Sequence, residues 1–250
     1  MLTGGFKVLR RLGAGSTCHA LAVESPAGQQ GVLKVAKDPS FNERLRQEYD
    51  TLLDVPHPNI VKAFGIHEID GLTVIFIEQA GHRTMGQRLR EQGPLSLDLL
   101  ERFGDELLVV LVHLEREGIN HRDIKPENIG LGETRKRALT LKLFDFSLAR
   151  APAENIRAGT PPYLDPFLSL RQPPRWDLHA ERFAAAMTLH EMATGTLPTW
   201  GSAGQDPASS DEDASLDVEK FDASVRDGLA DFFRRALHRD SKKRFDNADL

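Results

Sequence analysis

Cysteine is almost absent from the chain, which has 250 residues and a single thiol, Cys18. One cysteine excludes an internal disulfide and any metal site built from several thiolates, so a reducing cytoplasm is the expected compartment. The longest apolar run, residues 107–112, is far shorter than the roughly 20 residues that cross a bilayer. The N-terminal residues lack the apolar core of a signal peptide, and we expect no contact with membranes.

Positive charge is in short supply as well. Lys and Arg total 32 against 37 Asp and Glu, which gives a formal net charge of -5. Nucleic acid as the main partner would require clustered Lys and Arg against its phosphates. The one basic cluster, residues 135–137, is short and is predicted to be a solvated turn. Direct binding of nucleic acid is therefore not expected.

The apolar pattern divides the chain into two parts. Up to about residue 80 it predicts one helix, residues 39–55, and the strands "FKVLRRLG", "HALAVES", "GVLKVAK" and "LTVIFIEQ". From residue 96 onward helices dominate, and residues 180–195 are apolar nearly all round, so they should be buried. The boundary falls near "EQAGHR", residues 78–83. A cleft beneath such a connector is a natural place for a small ligand.

Two stretches in the first part could bind a phosphate group. Gly13 and Gly15 lie in "LGAGSTCHALAV", where the lack of side chains would let the backbone approach a phosphate closely. A plain β-turn explains them about as well. Lys34 lies within an apolar strand, and Glu48 on the following helix could pair with its ammonium group. Taken singly, a lysine that faces water from an edge strand is the better interpretation of Lys34.

The most informative stretch is "NHRDIKPENIGL". Asp123, Lys125 and Asn128 lie within six residues of one another, and Pro126 disfavours a continuous helix. A stiff loop can hold a carboxylate near a hydroxyl proton, a cation near a phosphoryl group and an amide oxygen on a metal. A chance match of these letters at this spacing has odds on the order of 10⁻⁴. A simple polar turn is therefore a poor explanation.

The segment HRDIKPEN resembles the catalytic loop of eukaryotic-type (Hanks-type) protein kinases. The other stretches follow that family's order, so the resemblance covers about residues 5 to 245. It implies an α+β, bilobal protein-kinase fold that includes the whole chain. A small antiparallel β-sheet lobe with one helix (about 1–80) would be joined by a hinge (about 78–83) to a larger, mainly helical lobe (about 84–250). It also implies ATP and Mg²⁺ as cofactors and a protein as substrate.

The same resemblance implies roles for individual catalytic residues. Lys34 would contact the α- and β-phosphates of ATP and pair with Glu48. Asp123 would accept the proton of the substrate hydroxyl, and Lys125 would steady the γ-phosphate. All groups that the reaction needs are present, so an active enzyme is preferred to a non-catalytic scaffold.

Further residues are implied at the nucleotide and at the substrate. Besides Lys34, the residues implied at the nucleotide are Gly13, Gly15, Ile77, Glu78, Ala80, Asn128 and Asp145. Of these, Asn128 and Asp145 would hold magnesium. Ile77 matches the gatekeeper, while the backbone of Glu78 and Ala80 would meet adenine. Thr160 would belong to the substrate platform "GTPPY" (residues 159–163) and is typical of the serine/threonine branch.

Several positions depart from the family pattern. Cys18 replaces the third glycine of the glycine-rich turn, and Ser147 replaces the glycine of the family's DFG segment. Glu181 occupies the place of a buried aspartate that braces the catalytic loop. The longer stem of Glu181 could still reach backbone donors there.

A fourth departure concerns an ion pair. Phe167 stands where the family has a glutamate that pairs with a late arginine, which here corresponds to Arg244. An arginine buried without an acceptor would be strongly destabilising. Asp165 is therefore predicted to be its partner.

Residues 148–159 contain no Ser, Thr or Tyr. Many family members order this segment by phosphorylation, so that the new charge pairs with the arginine before the catalytic aspartate, here Arg122. We expect no control by phosphorylation within residues 148–159. Glu154 could supply a permanent charge for Arg122; alternatively, Glu154 is merely solvated and packing orders the segment.

A second resemblance concerns "FDFSLAR", "GTPPYLDPF" and "WDLHAERFAAAMTLHEMATG". These stretches are similar to kinase modules of bacterial anti-phage defence systems of the phage-growth-limitation (BREX-type) kind. The resemblance implies a module of a longer polypeptide, with other domains as partners and a truncated C-terminus. Three functions stay open: an active serine/threonine kinase, an ATP-binding pseudokinase that serves as a scaffold, and a small-molecule kinase of the same fold. The first is preferred.

Overall fold

The computed structural model describes residues 4–133, 138–202 and 205–249. The basic cluster at residues 135–137, predicted to be a solvated turn, lies outside the described residues. Within the described ranges, the helices are all too short or too polar to span a bilayer.

The N-terminal part is an antiparallel sheet that carries one helix. Its strands are β1 (Lys7–Ala14), β2 (Cys18–Glu24), β3 (Gln30–Ala36), β4 (Ala63–Ile69) and β5 (Leu72–Ile77). They pair in the order β1-β2-β3-β5-β4. Four of them coincide with predicted strands. The sequence missed β4, because this edge strand is largely exposed and has no regular apolar alternation to mark it.

Helix α1 (Asn42–Asp54) packs against the sheet and follows a short 3-10 turn, Pro39–Phe41. Its inner face buries Leu45 and Leu52, as the helical spacing predicts. Glu48 lies on the same face and is only 1% exposed. A carboxylate at such a position needs a charged partner, and the sheet provides one.

The C-terminal part is mainly helical. Its helices are α2 (Met85–Gln92), α3 (Leu97–Arg116), α4 (Leu178–Thr194) and α5 (Arg226–Ala236). A second sheet joins β6 (Arg83–Thr84), β7 (Ile129–Glu133) and β8 (Leu139–Leu143). The sequence analysis predicted neither α2 nor this sheet. Helix α2 and strand β6 are too short to display a clear apolar period, whereas the alternation in β8, "LTLKL", was overlooked.

Helix α4 forms the centre of the C-terminal part and is buried on nearly all sides, as predicted. Helix α3 contributes Phe103, Leu107 and Leu111 to the same core. The two parts are joined beside β8, where the Leu143 amide donates to the Asn59 carbonyl at 2.7 Å. The predicted α+β fold, a small antiparallel sheet with one helix and a larger helical part, is confirmed.

Candidate active site

A cleft of about 360 Å³ lies between the five-stranded sheet and the start of the helical part. Its lining includes both glycines of the predicted phosphate-binding turn, the strand lysine and the residues of the predicted hinge. Side chains and backbone that enclose it include Ala20, Val32, Lys34, Ile77, Ala80 and Asp145. The cleft is therefore where the sequence predicts a small ligand.

Gly13, at the end of β1, and Gly15, in the turn before β2, line the cleft. Both have negative φ, so the turn itself does not require glycine. A Cβ atom added at either position would meet no protein atom within 4 Å. Glycine is thus not explained by contacts within the protein, whereas a ligand that approaches the backbone closely would explain it.

The hinge crosses the cleft directly after β5. Ile77 is 4% exposed at the end of that strand. The amide of Glu78 donates to the Lys62 carbonyl at 2.8 Å, and its carboxylate lies 2.8 Å from the Lys142 ammonium. The side chain and the amide of Glu78 are thus both engaged within the protein.

Two glycines let the hinge rest directly on β7. A Cβ at Gly81 would lie 1.9 Å from the Leu131 carbonyl oxygen, and one at Gly130 would lie 2.1 Å from the Ala80 carbonyl oxygen. Gly81 also has φ +106°, a conformation that L-residues rarely adopt. Main chain packs against main chain here, and no side chain fits between the two segments.

Lys34 projects from β3, which is paired on both sides, so the edge-strand interpretation is wrong. Its ammonium lies 2.7 Å from Glu48 Oε1 on α1 and 2.9 Å from Asp145 Oδ1. Burial alone would lower the pKa of Lys34, but the carboxylates of Asp145 and Glu48 outweigh it and hold that pKa well above its usual value. The predicted pair is formed, and it extends to a third charged group.

Asp145 lies at the start of the DFG-like segment with φ +70°. Burial would raise the pKa of Asp145, but Lys34 outweighs that effect and holds the pKa well below its usual range. Phe146 is buried, with its ring 4.5 Å from that of His121. Because Asp145, and not Ser147, adopts positive φ, serine is accommodated where the family has glycine.

The catalytic-loop residues converge on the Asp123 carboxylate. The Thr160 hydroxyl donates to Oδ1 at 2.6 Å, while Oδ2 accepts from the Lys125 ammonium at 2.7 Å. The side-chain amide of Asn128 donates to Oδ2 at 2.9 Å and to the Asp123 carbonyl at 2.8 Å. The amide oxygen of Asn128 is therefore turned away from Asp123.

The loop is braced from below by Glu181 on α4. Its carboxylate accepts from the backbone amides of His121, at 2.7 Å, and of Arg122, at 3.1 Å. The indole of Trp176 donates to it at 3.1 Å. The longer glutamate side chain thus reaches the backbone donors, as predicted.

We expect Glu181 to make stability depend on pH. Burial raises its pKa to about 7, against the opposing effect of the N–H donors. The folded protein keeps the Glu181 proton up to about pH 7, whereas the unfolded chain loses it near pH 4.5. The stabilisation that results from this difference is therefore complete below pH 4.5 and is lost as pH rises through about 7. The free energy of unfolding of the wild type, relative to Glu181→Gln, should fall by about 3 kcal/mol over this range. Urea titrations at several pH values measure it, and parallel curves for the two proteins would contradict it.

Phe167 is buried in an aromatic cluster, 5.9 Å from the Trp200 ring. The predicted replacement ion pair is formed: Arg244 Nη1 lies 2.6 Å from Asp165 Oδ2. Arg171 lies 2.5 Å from the same oxygen. One buried carboxylate thus serves two arginines, and the family's glutamate is replaced by its neighbour two positions earlier.

Arg122 does not pair with Glu154. Its guanidinium donates to the Pro152 carbonyl at 3.0 Å and lies 5.5 Å from the centre of the Trp176 ring. Glu154 is exposed and forms no ion pair among the described residues. No ion pair joins Arg122 to Glu154, because the guanidinium faces a backbone carbonyl and an aromatic ring. Burial lowers the pKa of Arg122, while the charges of Glu181 and Glu154 act to raise it, so Glu154 still influences Arg122 from a distance.

Two other arginines form contacts between residues 147–150 and helix α1. Arg150 Nη2 lies 2.7 Å from Asp54 Oδ2, and its Nε donates to the Thr51 hydroxyl at 3.0 Å. Arg44 of α1 donates to the Ser147 carbonyl at 3.1 Å. The sequence analysis missed these contacts, because they join residues that lie about one hundred positions apart in the chain.

A model of the protein kinase domain matches residues 6–250. The chain belongs to the protein kinase family. The resemblance drawn from HRDIKPEN is therefore confirmed.

Three similar proteins are also named as kinases. The probable kinase PglW of Streptomyces coelicolor is 40% identical over 98% of the chain, which agrees with the second resemblance. The serine/threonine-protein kinase PrkC of Bacillus subtilis is 24% identical over 99% of the chain. A probable serine/threonine-protein kinase of Corynebacterium efficiens is 32% identical over 67%. The matched regions make up 18%, 39% and 26% of these relatives, so the chain spans less than half of each.

Proposed function

We propose that the chain is an active protein kinase domain that transfers the γ-phosphate of ATP to a Ser or Thr hydroxyl of a protein. One observation carries the proposal: a hydroxyl, that of Thr160, already lies 2.6 Å from Asp123, with the Lys125 ammonium 2.7 Å from the same carboxylate. A substrate hydroxyl in an equivalent place would find a proton acceptor and a nearby cation.

The remaining residues fit a nucleotide in the cleft. The backbone of Glu78 and Ala80 would bind the base below Ile77, and Gly13 and Gly15 would cover the phosphates. Lys34 would bind the α- and β-phosphates; its ammonium is preoriented by Glu48. These roles rest on the places of the residues around the cleft.

Magnesium fits two oxygen donors, Asp145, which lines the cleft, and Asn128 of the catalytic loop. Asp145 is held ionised by Lys34, and the amide oxygen of Asn128 is free of Asp123. The described residues contain no group of three or more His, Cys, Asp or Glu that could hold a metal by itself. Two protein ligands completed by phosphate and water are the usual arrangement for Mg²⁺. When bound, the ion would neutralise charge on the transferring phosphate.

The transfer requires no reactant other than ATP and the substrate hydroxyl. The substrate oxygen attacks the γ-phosphorus as the bond to the β-phosphate oxygen breaks, and ADP leaves. Asp123 accepts the proton of the substrate hydroxyl. Lys125 stabilises charge on the transferred group, and Asn128 holds the Asp123 carboxylate in place.

Phosphorylation within residues 148–159 is not part of the proposed control, because no hydroxyl is present there. The contacts of Arg150 with α1, and of Arg44 on α1 with the Ser147 carbonyl, would instead hold the segment in place. We expect Arg150→Ala to lower kcat by roughly tenfold, because α1 carries Glu48. Its stability should change by less than about 1 kcal/mol, since the ion pair is half exposed.

Glu154→Gln is the matched control for Arg150→Ala, because Glu154 lies in the same segment and forms no ion pair among the described residues. Its kcat should stay within about twofold of the wild type. Steady-state assays of both variants, with and without phosphatase treatment, measure the contrast. A large loss in Glu154→Gln with none in Arg150→Ala would reverse the assignment.

The similarity to PglW supports a further proposal, that the chain is a cytoplasmic module of a larger bacterial anti-phage defence protein. Its partners would be other domains of that polypeptide and a protein substrate. A cell-based test would compare phage plating on hosts with the wild-type protein and with Asp123→Asn. Equal plating would remove the defence role and leave the kinase activity untouched.

Transfer of labelled phosphate separates the three functions. The protein, with Mg²⁺ and labelled ATP, is offered mixed proteins in one reaction and a metabolite extract in another. Label in Ser or Thr of proteins supports the proposal. Label only in small molecules would favour the small-molecule kinase, and ATP binding without any transfer would favour the scaffold.

A further inference from the structure

The segment that leads to and follows the substrate platform is rich in arginine. Between residues 150 and 175 it contains Arg150, Arg157, Arg171 and Arg175, against the acidic residues Glu154 and Asp165. The whole chain has a net charge of -5, so this local excess runs against the overall composition. These arginines differ in whether they already form an ion pair within the protein.

Two of the arginines are engaged within the protein. Arg150 is paired with Asp54, and Arg171 with Asp165. Arg157 is exposed and forms no ion pair among the described residues. Its charge is therefore available to a bound partner.

Arg157 lies close to the place where a substrate hydroxyl must sit. The amide of Ala158 donates to the Asn155 carbonyl at 3.2 Å, which puts Arg157 at the tip of a tight turn. Gly159 then packs on the catalytic loop, where an added Cβ would lie 2.7 Å from the Arg122 carbonyl oxygen. The next residue, Thr160, contacts the catalytic carboxylate. Three residues span at most about 10 Å, so Arg157 can reach side chains that neighbour the acceptor.

Near the platform, the carboxylates that could attract a basic substrate already have partners within the protein. Glu127 of the catalytic loop lies 2.8 Å from Arg90 Nη1. Glu191 accepts the hydroxyl of Tyr163, the last residue of the platform, at 2.6 Å. Glu154 is exposed, but it is three residues farther from Thr160 than Arg157 is. The balance of available charge beside the acceptor is therefore positive.

We propose that Arg157 is a specificity-determining residue that selects protein substrates with an acidic residue close to the phosphorylated Ser or Thr. The proposal rests on the protein kinase function proposed above. The Arg157 guanidinium is exposed and forms no ion pair with a described carboxylate. The carboxylates near the platform, those of Glu127 and Glu191, already have partners within the protein. A carboxylate on the substrate would meet it in a planar, two-pronged contact.

Peptide kinetics test the proposal. Ser peptides that differ only in Glu, Gln or Lys at each position within three residues of the Ser are compared by kcat/KM. We expect Glu to exceed Gln by about fivefold at one or more of these positions, the scale of one exposed Arg–carboxylate contact. The preference should weaken in high salt. In Arg157→Glu, the order should change to Lys above Gln above Glu.

Two further variants make the outcome decisive. Arg157→Gln should bring the ratio of Glu to Gln peptides close to one, and Arg234→Glu, at an exposed position of α5, should retain the wild-type ratio. Equal ratios in the wild type, or a preference unchanged in Arg157→Gln and Arg157→Glu, would overturn the assignment of Arg157. Transfer to neutral peptides would then still uphold the kinase function. Failure of the wild type to phosphorylate any peptide or protein would overturn the kinase function itself.

Discussion

Asp123→Asn should lower the rate of phosphate transfer by about 10²- to 10⁴-fold, the contribution typical of a positioned proton acceptor. The amide has the size of the carboxylate but cannot accept a proton. Its oxygen can still accept from the Lys125 ammonium and the Asn128 amide while its NH2 group faces the Thr160 hydroxyl, so the loop should keep its structure. Nucleotide affinity should stay within about threefold, because Asp123 does not line the cleft. Single-turnover assays measure transfer, and calorimetry with ATP and Mg²⁺ measures binding.

Asp105→Asn is the matched control, because it makes the same change at an exposed position on α3. It should transfer phosphate at the wild-type rate. If Asp123→Asn retained more than about a tenth of the wild-type rate, Asp123 would not be the proton acceptor. If transfer and nucleotide affinity fell together, the loop would have lost its structure instead.

Asp165→Ala should lower the free energy of unfolding by about 3–5 kcal/mol, the cost of removing one partner from a buried ion pair. Asp165 is 3% exposed and lies 2.6 Å from the buried Arg244, with Arg171 on the same oxygen. Its removal leaves two guanidinium groups without their acceptor. Asp165→Asn should be destabilising too, because the amide keeps the size but not the charge. Equilibrium denaturation in urea measures both.

Asp231→Ala provides the comparison at an exposed ion pair. Asp231 lies 3.0 Å from Arg234 on α5, and both side chains are more than half exposed. Its loss should cost less than about 1 kcal/mol. An Asp165→Ala protein no less stable than Asp231→Ala would show that Arg244 finds another acceptor once Asp165 is removed.

Local sequence motifs predicted which side chains meet in the catalytic loop, and apolar periods predicted most of the elements around it. Asp123, Lys125 and Asn128 lie so close in the chain that one stiff loop brings them together. The pair of Lys34 with Glu48 was predicted from the resemblance to the protein kinases, whereas Lys34 taken singly favoured a solvated edge strand. Asp165 was predicted as the partner of Arg244, because a buried charge requires one. Strand β4 and helix α2 were missed, because neither has an apolar period that reveals it.

The error at Arg122 has a physical origin of a different kind. Charge alone pointed to Glu154, but a guanidinium can also be satisfied by a carbonyl and by an aromatic ring. The Pro152 carbonyl and the Trp176 ring take these positions, although Arg122 Nε is buried without a hydrogen-bond partner among the described residues. Trp176 is brought there by its amide, which donates to the Ala153 carbonyl at 2.8 Å. Contacts to backbone carbonyls carry no sequence signature, so the sequence could not reveal this one.

The glycines of the hinge restrict how the shape of the cleft can be altered. Gly81 and Gly130 bring two stretches of main chain together with no room for a Cβ atom. Backbone atoms cannot be enlarged or trimmed by mutation, so one wall of the cleft has a fixed contour. Changes in which ligands fit must therefore come from side chains elsewhere in the lining, for example those of Ala20 and Val32.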